Sequence, residues 1–267
     1  MLDERTLGDA GVPTDPIAFG AQLAQTNLEL MAQLERLGHT EEDLRLVHAA
    51  YELSLELHGC LARSSGRSVL EHQLGTASAV AMLGADAAWV AATVLHAAYI
   101  HGDFGTWRTR MLAAHRARVR AVVGEGADEI IIRYTKIRWN RSLIPTHRAR
   151  IPQMDELDRK ALSIRIGDQL DIYATGEAFY YSNFEQRRSF AREMGPTVVG
   201  MADDLGYPVM AEVLRRSYAR VLTETAPQSL VDPRWKDELL LPSSSRMRPS
   251  IAAYRKIRSR VWSVLGR

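Results

Sequence analysis

Cysteine is nearly absent: the 267 residues contain one, Cys60. A disulfide within the chain is therefore excluded, and such low usage is typical of a reducing compartment. No apolar run approaches the length of about eighteen residues that a membrane span needs, and the opening stretch, MLDERTLGDAG, lacks the apolar region of a signal peptide. We therefore expect a cytoplasmic protein with no membrane span, in which Cys60 is a small buried residue.

Acidic residues are missing from two segments rich in arginine and lysine, residues 133–150 and 246–267. The plain interpretation of each segment is a solvated basic face. The alternatives are an anion site in the first and a docking helix in the second, which would pack on the body of the protein or on a second subunit to form a homo-oligomer. Nucleic acid is not an expected partner, because no known module and no interleaved aromatic residues accompany the basic ones.

Strand signals are also scarce, because alternating patterns are few and no Asn-Gly or Asp-Gly turn occurs. Apolar residues instead recur at helical spacing, so the sequence predicts an all-α fold. Thr40, followed by two glutamates, is a predicted N-cap. Pro145 and Pro152 predict a loop over residues 138–153. Helices are predicted near residues 17–37, 41–58, 68–83, 86–101, 106–123, 125–138, 155–180, 184–203, 207–225 and 249–264.

Three ionisable side chains fall on apolar helix faces, where burial requires a partner. Asp168 shares its side of a helix with isoleucines, His96 follows Trp89 and Ala92, and His72 follows Leu70. Taken singly, each of them is more often a buried core residue with hydrogen-bond partners than a metal ligand. Three of them on separate helices favour a metal site, since such sites in helical bundles draw their ligands from facing helices.

Four stretches resemble, in order, the HD hydrolase domain of the Rel/SpoT alarmone enzymes. HGCLARSSGRSVLEH matches the spacing of that domain's opening motif, and the interval from His72 to His96 matches the next. RYTKI is similar to the family's Val-Thr-Lys-Leu, and IRIGDQLDIY is similar to the helix carrying Ala-Asp-Arg-Leu-His-Asn. VVGMADDLGYPVMAEVL resembles the closing segment, so the likeness covers roughly residues 43–227. The matching positions are His58, Arg63, Ser65, Gly66, His72, His96, Thr135, Lys136 and Asp168.

The resemblance implies an HD-domain helical bundle of roughly nine to ten helices over residues 40–239. Residues 1–39 would be an N-terminal helical extension, and residues 240–267 a linker with a basic C-terminal helix. It also implies one divalent metal ion, Mn, Fe or Zn, held by His72, His96 and Asp168. The family removes the 3′-pyrophosphate of ppGpp. An anionic substrate would be bound by Arg63, Ser65, Gly66 and Lys136.

Several signature residues of the family are replaced. Ala97 stands where the aspartate of the His-Asp pair belongs, and Ile100 and His101 stand where a Glu-Asp pair handles the nucleophilic water. Ile172 replaces an asparagine, and no part of the chain resembles the family's synthetase domain. His101 or Asp103 could replace the missing ligand or act as a catalytic base.

Three functional hypotheses follow from these features. The first is a divergent stand-alone HD-domain enzyme, phosphohydrolase-like and acting on a phosphorylated or anionic small molecule, for which ppGpp itself is not the expected substrate. The second is a catalytically inactive pseudo-hydrolase that has lost its metal and binds a nucleotide or a protein partner. The third is a purely structural helical protein, which would not explain why the four stretches match the order and spacing of the HD-domain motifs.

Overall fold

The computed structural model describes residues 15–105, 111–226, 229, 239 and 240. It confirms the all-α prediction, since helix dominates these residues. Two strands of two residues each, β1 (Ala62–Arg63) and β2 (Leu239–Leu240), pair antiparallel. The helices are α1 (Pro16–Ala21), α2 (Asn27–Arg36), α3 (Glu41–His58), α4 (Val69–Ala81), α5 (Ala87–Val94), α6 (Ala98–His101), α7 (Ala113–Lys136), α8 (Ile144–Arg150), α9 (Glu156–Ala174), α10 (Phe184–Asp204) and α11 (Pro208–Thr223).

Local capping explains where several helices begin. Thr26, Thr40 and Ser68 each accept a hydrogen bond from the backbone N–H three residues further on, and an acid at that position bonds back to the cap. These reciprocal bonds satisfy N–H groups that the first helical turn leaves unpaired. The predicted cap at Thr40 is confirmed.

Helices α4 and α9 lie at the centre of the fold. They pack against each other, α4 also packs on α5, and both α5 and α9 contact α7. One group of buried apolar side chains joins α4 and α9 to α2, α3, α5 and α7, while a second joins them to α1, α8, α10 and α11. Polar side chains between α4 and α9 are therefore enclosed by apolar packing. No helix among the described residues is long and apolar enough to cross a membrane.

Three predicted helices are divided by local signals. The segment 17–37 forms α1 and α2, because Thr26 starts a new helix. The segment 86–101 breaks after Val94 and resumes at Ala98, which leaves His96 in the turn between α5 and α6. The segment 155–180 ends as α9 at Ala174, and Gly176, with φ of 79°, leads into a 3₁₀ turn at Glu177–Tyr180.

Other predictions concern residues 106–153. The break predicted between the helices at 106–123 and 125–138 is confirmed, because Gly124 (φ 81°, ψ 173°) has a non-helical backbone that kinks α7 at this position. The loop predicted at 138–153 is wrong, since it contains α8, where Pro145 takes the early helical position that suits a residue without an N–H. Cys60, expected to be buried, is exposed in the turn after α3.

Parts of the predicted organisation lie outside the described residues. These include the helix at 249–264 and most of the linker before it, as well as residues 1–14 and 106–110. The division at residues 39 and 40 stays a prediction, although Leu30 and Leu34 of α2 are buried in the first apolar group.

Candidate metal centre

His72 lies in the first turn of α4 and bridges two carboxylates of α9. Its Nε2 atom is 2.9 Å from Oδ1 of Asp168, and its Nδ1 atom is 2.7 Å from Oδ2 of Asp171. The two aspartates are three residues apart and therefore share one face of α9. Burial and the charge of Arg63 lower the pKa of His72, but the hydrogen bonds that its ring donates to Asp168 and Asp171 more than offset them, so this pKa lies above its ordinary value.

His96 approaches the same region from the turn after α5. Its ring is edge-on to that of His72, with centroids 5.7 Å apart, and to the ring of Tyr134 at 4.9 Å. Its Nδ1–H donates to the backbone oxygen of Thr93 at 2.7 Å. Burial, helped by the charge of His72, lowers the pKa of His96 to about 3, so the ring is neutral.

Asp168 links His72 to Tyr134 of α7. While Oδ1 faces His72, Oδ2 accepts hydrogen bonds from Nη1 of Arg165 at 2.9 Å and from the hydroxyl of Tyr134 at 3.3 Å. Burial raises the pKa of Asp168, but the hydrogen bond and charge of His72, together with Arg165, hold it well below the usual range. The carboxylate is therefore ionised, with one oxygen directed to His72.

A second group of charges lies behind Asp171. Arg67 donates from both terminal nitrogens to Asp171, at 2.6 and 3.0 Å, and also to Glu177 at 3.1 Å. Glu177 further accepts hydrogen bonds from Arg63 at 2.7 Å and Ser65 at 2.6 Å. Burial raises the pKa of Glu177, but Arg63, His72 and Arg67 together hold it below its ordinary value. The carboxylates and arginines thus alternate along one continuous network.

The residues predicted to bind substrate occupy different environments. The side chains of Arg63 and Ser65 are joined through Glu177, and Gly66 has a positive φ of 89° in the turn that presents them. Lys136 is exposed at the end of α7. Three of the six Lys and Arg residues of the basic segment 133–150 pair with acids from elsewhere in the chain, in the ion pairs Arg133–Asp155, Arg141–Glu193 and Arg148–Asp204.

The two predicted catalytic residues lie at the end of α6 and just beyond it. His101 is the last residue of α6 and is partly exposed. The carboxylate of Asp103 accepts a hydrogen bond from the backbone N–H of Gly105 at 2.8 Å, and its own N–H donates to the oxygen of Leu57. Among the described residues, no hydrogen bond joins Asp103 to the three predicted ligands. Its observed role is to close a turn.

The donor set of His72, His96 and Asp168 suits a divalent ion. Ligand bonds of about 2.1 Å at a tetrahedral angle place neighbouring ligand atoms about 3.4 Å apart, so the observed 2.9 Å between His72 and Asp168 would widen slightly around an ion. Both histidines use Nδ1 to bond an oxygen, as metal-ligating histidines usually do. In neutral His72 the Nε2 lone pair would face the Asp168 carboxylate, so a proton or a metal ion must lie between them.

A competing group of ligands shares His72. The ligand atoms of His72, Asp171 and Glu177 all lie within 4.8 Å of one another, a limit that the first set does not meet. A metal in the competing group would have to displace Arg67, whose guanidinium already contacts both carboxylates. For this reason we favour His72, His96 and Asp168 as the ligands. Binding one ion through all three would require His96 to move towards the other two.

Two carboxylates of this site, Asp171 and Glu177, were not predicted from the sequence, nor were Arg67, Arg165 and Tyr134. Asp171 carries a usable signal, because a carboxylate three positions after Asp168 must share its helix face. Glu177 carries none, since only the turn at Gly176 brings it back against Arg63.

Comparison with known proteins covers one part of the site. Residues 61–138 match the profile of a family described as a domain of unknown function, DUF6817. This segment runs from the turn that holds Arg63 to the end of α7, so it includes His72 and His96 but not Asp168. The comparison with curated proteins gives no match to this chain.

Proposed function

We propose that the protein is a divergent HD-type, metal-dependent enzyme that hydrolyses a phosphorylated or otherwise anionic small molecule. The observation that carries the proposal is the position of His72, held between Asp168 at Nε2 and Asp171 at Nδ1. In this proposal Asp168 would be a neighbouring ligand and Asp171 the partner that orients the ring, which is the usual arrangement around a metal-bound histidine.

The roles of the chain's own residues follow from their contacts. His72, His96 and Asp168 would hold the ion, while Asp171 and the oxygen of Thr93 fix the two imidazole rings. When bound, a divalent ion would supply a Lewis acid that polarises a phosphoryl oxygen and makes water a better nucleophile. The buried Tyr134 and the apolar residues around it would restrict the entry of bulk water.

The residues that replace the family's catalytic groups, Ala97 and Ile100, should slow hydrolysis. A positioned acid–base pair typically contributes about 10²–10⁴ in rate. Ala97 offers no ligand, and Ile100 cannot transfer a proton. We therefore expect slower turnover than an intact HD hydrolase would give, and no preference for ppGpp.

A turnover assay on the full chain with Mn, Fe or Zn tests this proposal. We expect metal-dependent release of phosphate or pyrophosphate from at least one member of a panel of nucleotides and sugar phosphates. His72→Ala should reduce release by more than about a hundredfold, because loss of an outer-shell partner alone costs about 10–100-fold. The matched control is His48→Ala, since His48 is half exposed on α3. Equal release by the wild type and His72→Ala would contradict the proposal. Rapid release of pyrophosphate from ppGpp would contradict the slow turnover that we expect from Ala97 and Ile100.

A specific observation favours a second candidate, a metal-free pseudo-hydrolase that binds an anion. Each of the three carboxylates already has an arginine partner, in the pairs Asp168–Arg165, Asp171–Arg67 and Glu177–Arg63. The group therefore carries no excess negative charge to attract a divalent cation. Absence of both turnover and metal binding, together with retained anion binding, would favour this candidate over the enzyme.

A further inference from the structure

Arg165 is a cation beside the candidate ligands. It lies one helical turn before Asp168 on α9, and its Nη1 group donates to that carboxylate at 2.9 Å. Its guanidinium carbon is 3.9 Å from the centre of the Tyr134 ring, and Tyr134 in turn contacts His96. The side chain of Arg165 is 15% exposed. The guanidinium is thus held in one plane at the edge of the metal centre and retains some access to solvent.

The hydrogen-bonding capacity of Arg165 is only partly used. Its Nε–H is buried and has no hydrogen-bond partner among the described residues. A guanidinium has five N–H groups, and leaving a buried donor unpaired is unfavourable. The other arginines of this network differ, because Nε of Arg63 donates to Glu177 and Tyr181 while Arg67 donates to Asp171 and Glu177. Of the three, Arg165 has a buried Nε–H without a partner and also contacts a candidate metal ligand directly.

Within the part of the chain that the structure describes, one other arginine, Arg187, has a buried Nε without a partner. Arg187 stacks on the ring of Tyr181 at 3.5 Å. Among the described residues, no hydrogen bond or ion pair joins it to His72, His96 or Asp168. Arg165 therefore combines spare donors with contact to a candidate ligand.

We propose that Arg165 binds the phosphoryl group of an anionic ligand at this centre. The inference rests on the proposed function for the nature of the substrate, and it replaces Arg63 as the principal anion-binding residue. A planar guanidinium fixed by stacking presents its N–H groups in a geometry that matches phosphate oxygens. A phosphoryl group is favoured over a carboxylate because two of its three terminal oxygens could bind the planar guanidinium while the third stays available to the metal centre, whereas a carboxylate has only two oxygens.

Titration of inorganic phosphate into the chelator-treated full chain tests the inference without metal. We expect measurable binding by calorimetry, weakened at least tenfold in Arg165→Gln. Arg45→Gln is the control with the same change in net charge, because Arg45 is an exposed arginine on α3. No binding by the wild type, or equal weakening in both variants, would overturn the proposal.

Two further measurements keep the test decisive if Arg165→Gln does not fold. Arg165→Lys retains the charge but loses the planar fork, so it should also bind phosphate more weakly than the wild type. In the wild type, phosphate should slow modification of Arg165 by phenylglyoxal, as read by mass spectrometry, while modification of Arg45 is unchanged. Equal modification of Arg165 with and without phosphate would contradict the inference. Because chelator is present throughout, failure here is distinguishable from failure of metal-dependent turnover.

Discussion

Arg67→Ala is expected to lower the free energy of unfolding by about 3–5 kcal/mol, the usual cost of removing one partner from a buried ion pair. The side chain of Asp171 is fully buried and that of Glu177 is 2% exposed, and Arg67 contacts both. Without the guanidinium, Asp171 would retain only His72 as a charged partner. The loss should appear as a lower urea midpoint in equilibrium unfolding.

A matched surface arginine provides the control for this result. Arg45 pairs with Glu41 on α3, but both side chains are more than 70% exposed. Arg45→Ala should change the free energy of unfolding by less than about 1 kcal/mol, since exposed ion pairs contribute little. A similar loss in both variants would show that burial of the Arg67 network does not stabilise the fold.

Gly75→Ala is expected to destabilise the protein by about 1–3 kcal/mol through overpacking between α4 and α9. A Cβ atom at position 75 would lie 1.9 Å from Oδ1 of Asp171 and 3.1 Å from Nη2 of Arg67. The carboxylate cannot move aside without loss of its hydrogen bonds to His72 and Arg67. Thermal unfolding followed by circular dichroism would measure the change.

Gly126→Ala is the control, and the opposite sign is expected for it. Gly126 lies two residues after the kink at Gly124, and a Cβ atom there would meet nothing within 4 Å. Alanine should therefore raise the free energy of unfolding by about 0.4–1 kcal/mol, chiefly because it lowers the conformational entropy of the unfolded chain. A neutral Gly75→Ala variant would contradict the close approach of α4 and α9 at this position.

Part of this structure could be predicted from sequence because local patterns determine it. Helical periodicity predicted the fold class, and the cap at Thr40 predicted the start of α3. The apolar surroundings of His72 and Asp168 required polar partners for both, and the structure places the two side chains 2.9 Å apart.

The partners of the charged side chains could not be predicted, because they depend on contacts between distant segments of the chain. The basic segment 133–150 contains no acid, yet Asp155, Glu193 and Asp204 reach its arginines through tertiary packing. Position in the sequence favoured Arg63 as an anion-binding residue, but Glu177, 114 residues away, accepts its hydrogen bond. Spacing along one helix cannot reveal such partners.

Titration of Mn²⁺ into the chelator-stripped full chain shows whether His72, His96 and Asp168 bind a metal ion. We expect one bound ion per chain in the wild type, loss of binding in Asp168→Asn, and retained binding in a folded Glu177→Gln variant. Retention in Glu177→Gln separates the favoured ligand set from the competing group of His72, Asp171 and Glu177. No binding by the wild type, or equal binding by the wild type and Asp168→Asn, would contradict a metal centre at His72, His96 and Asp168.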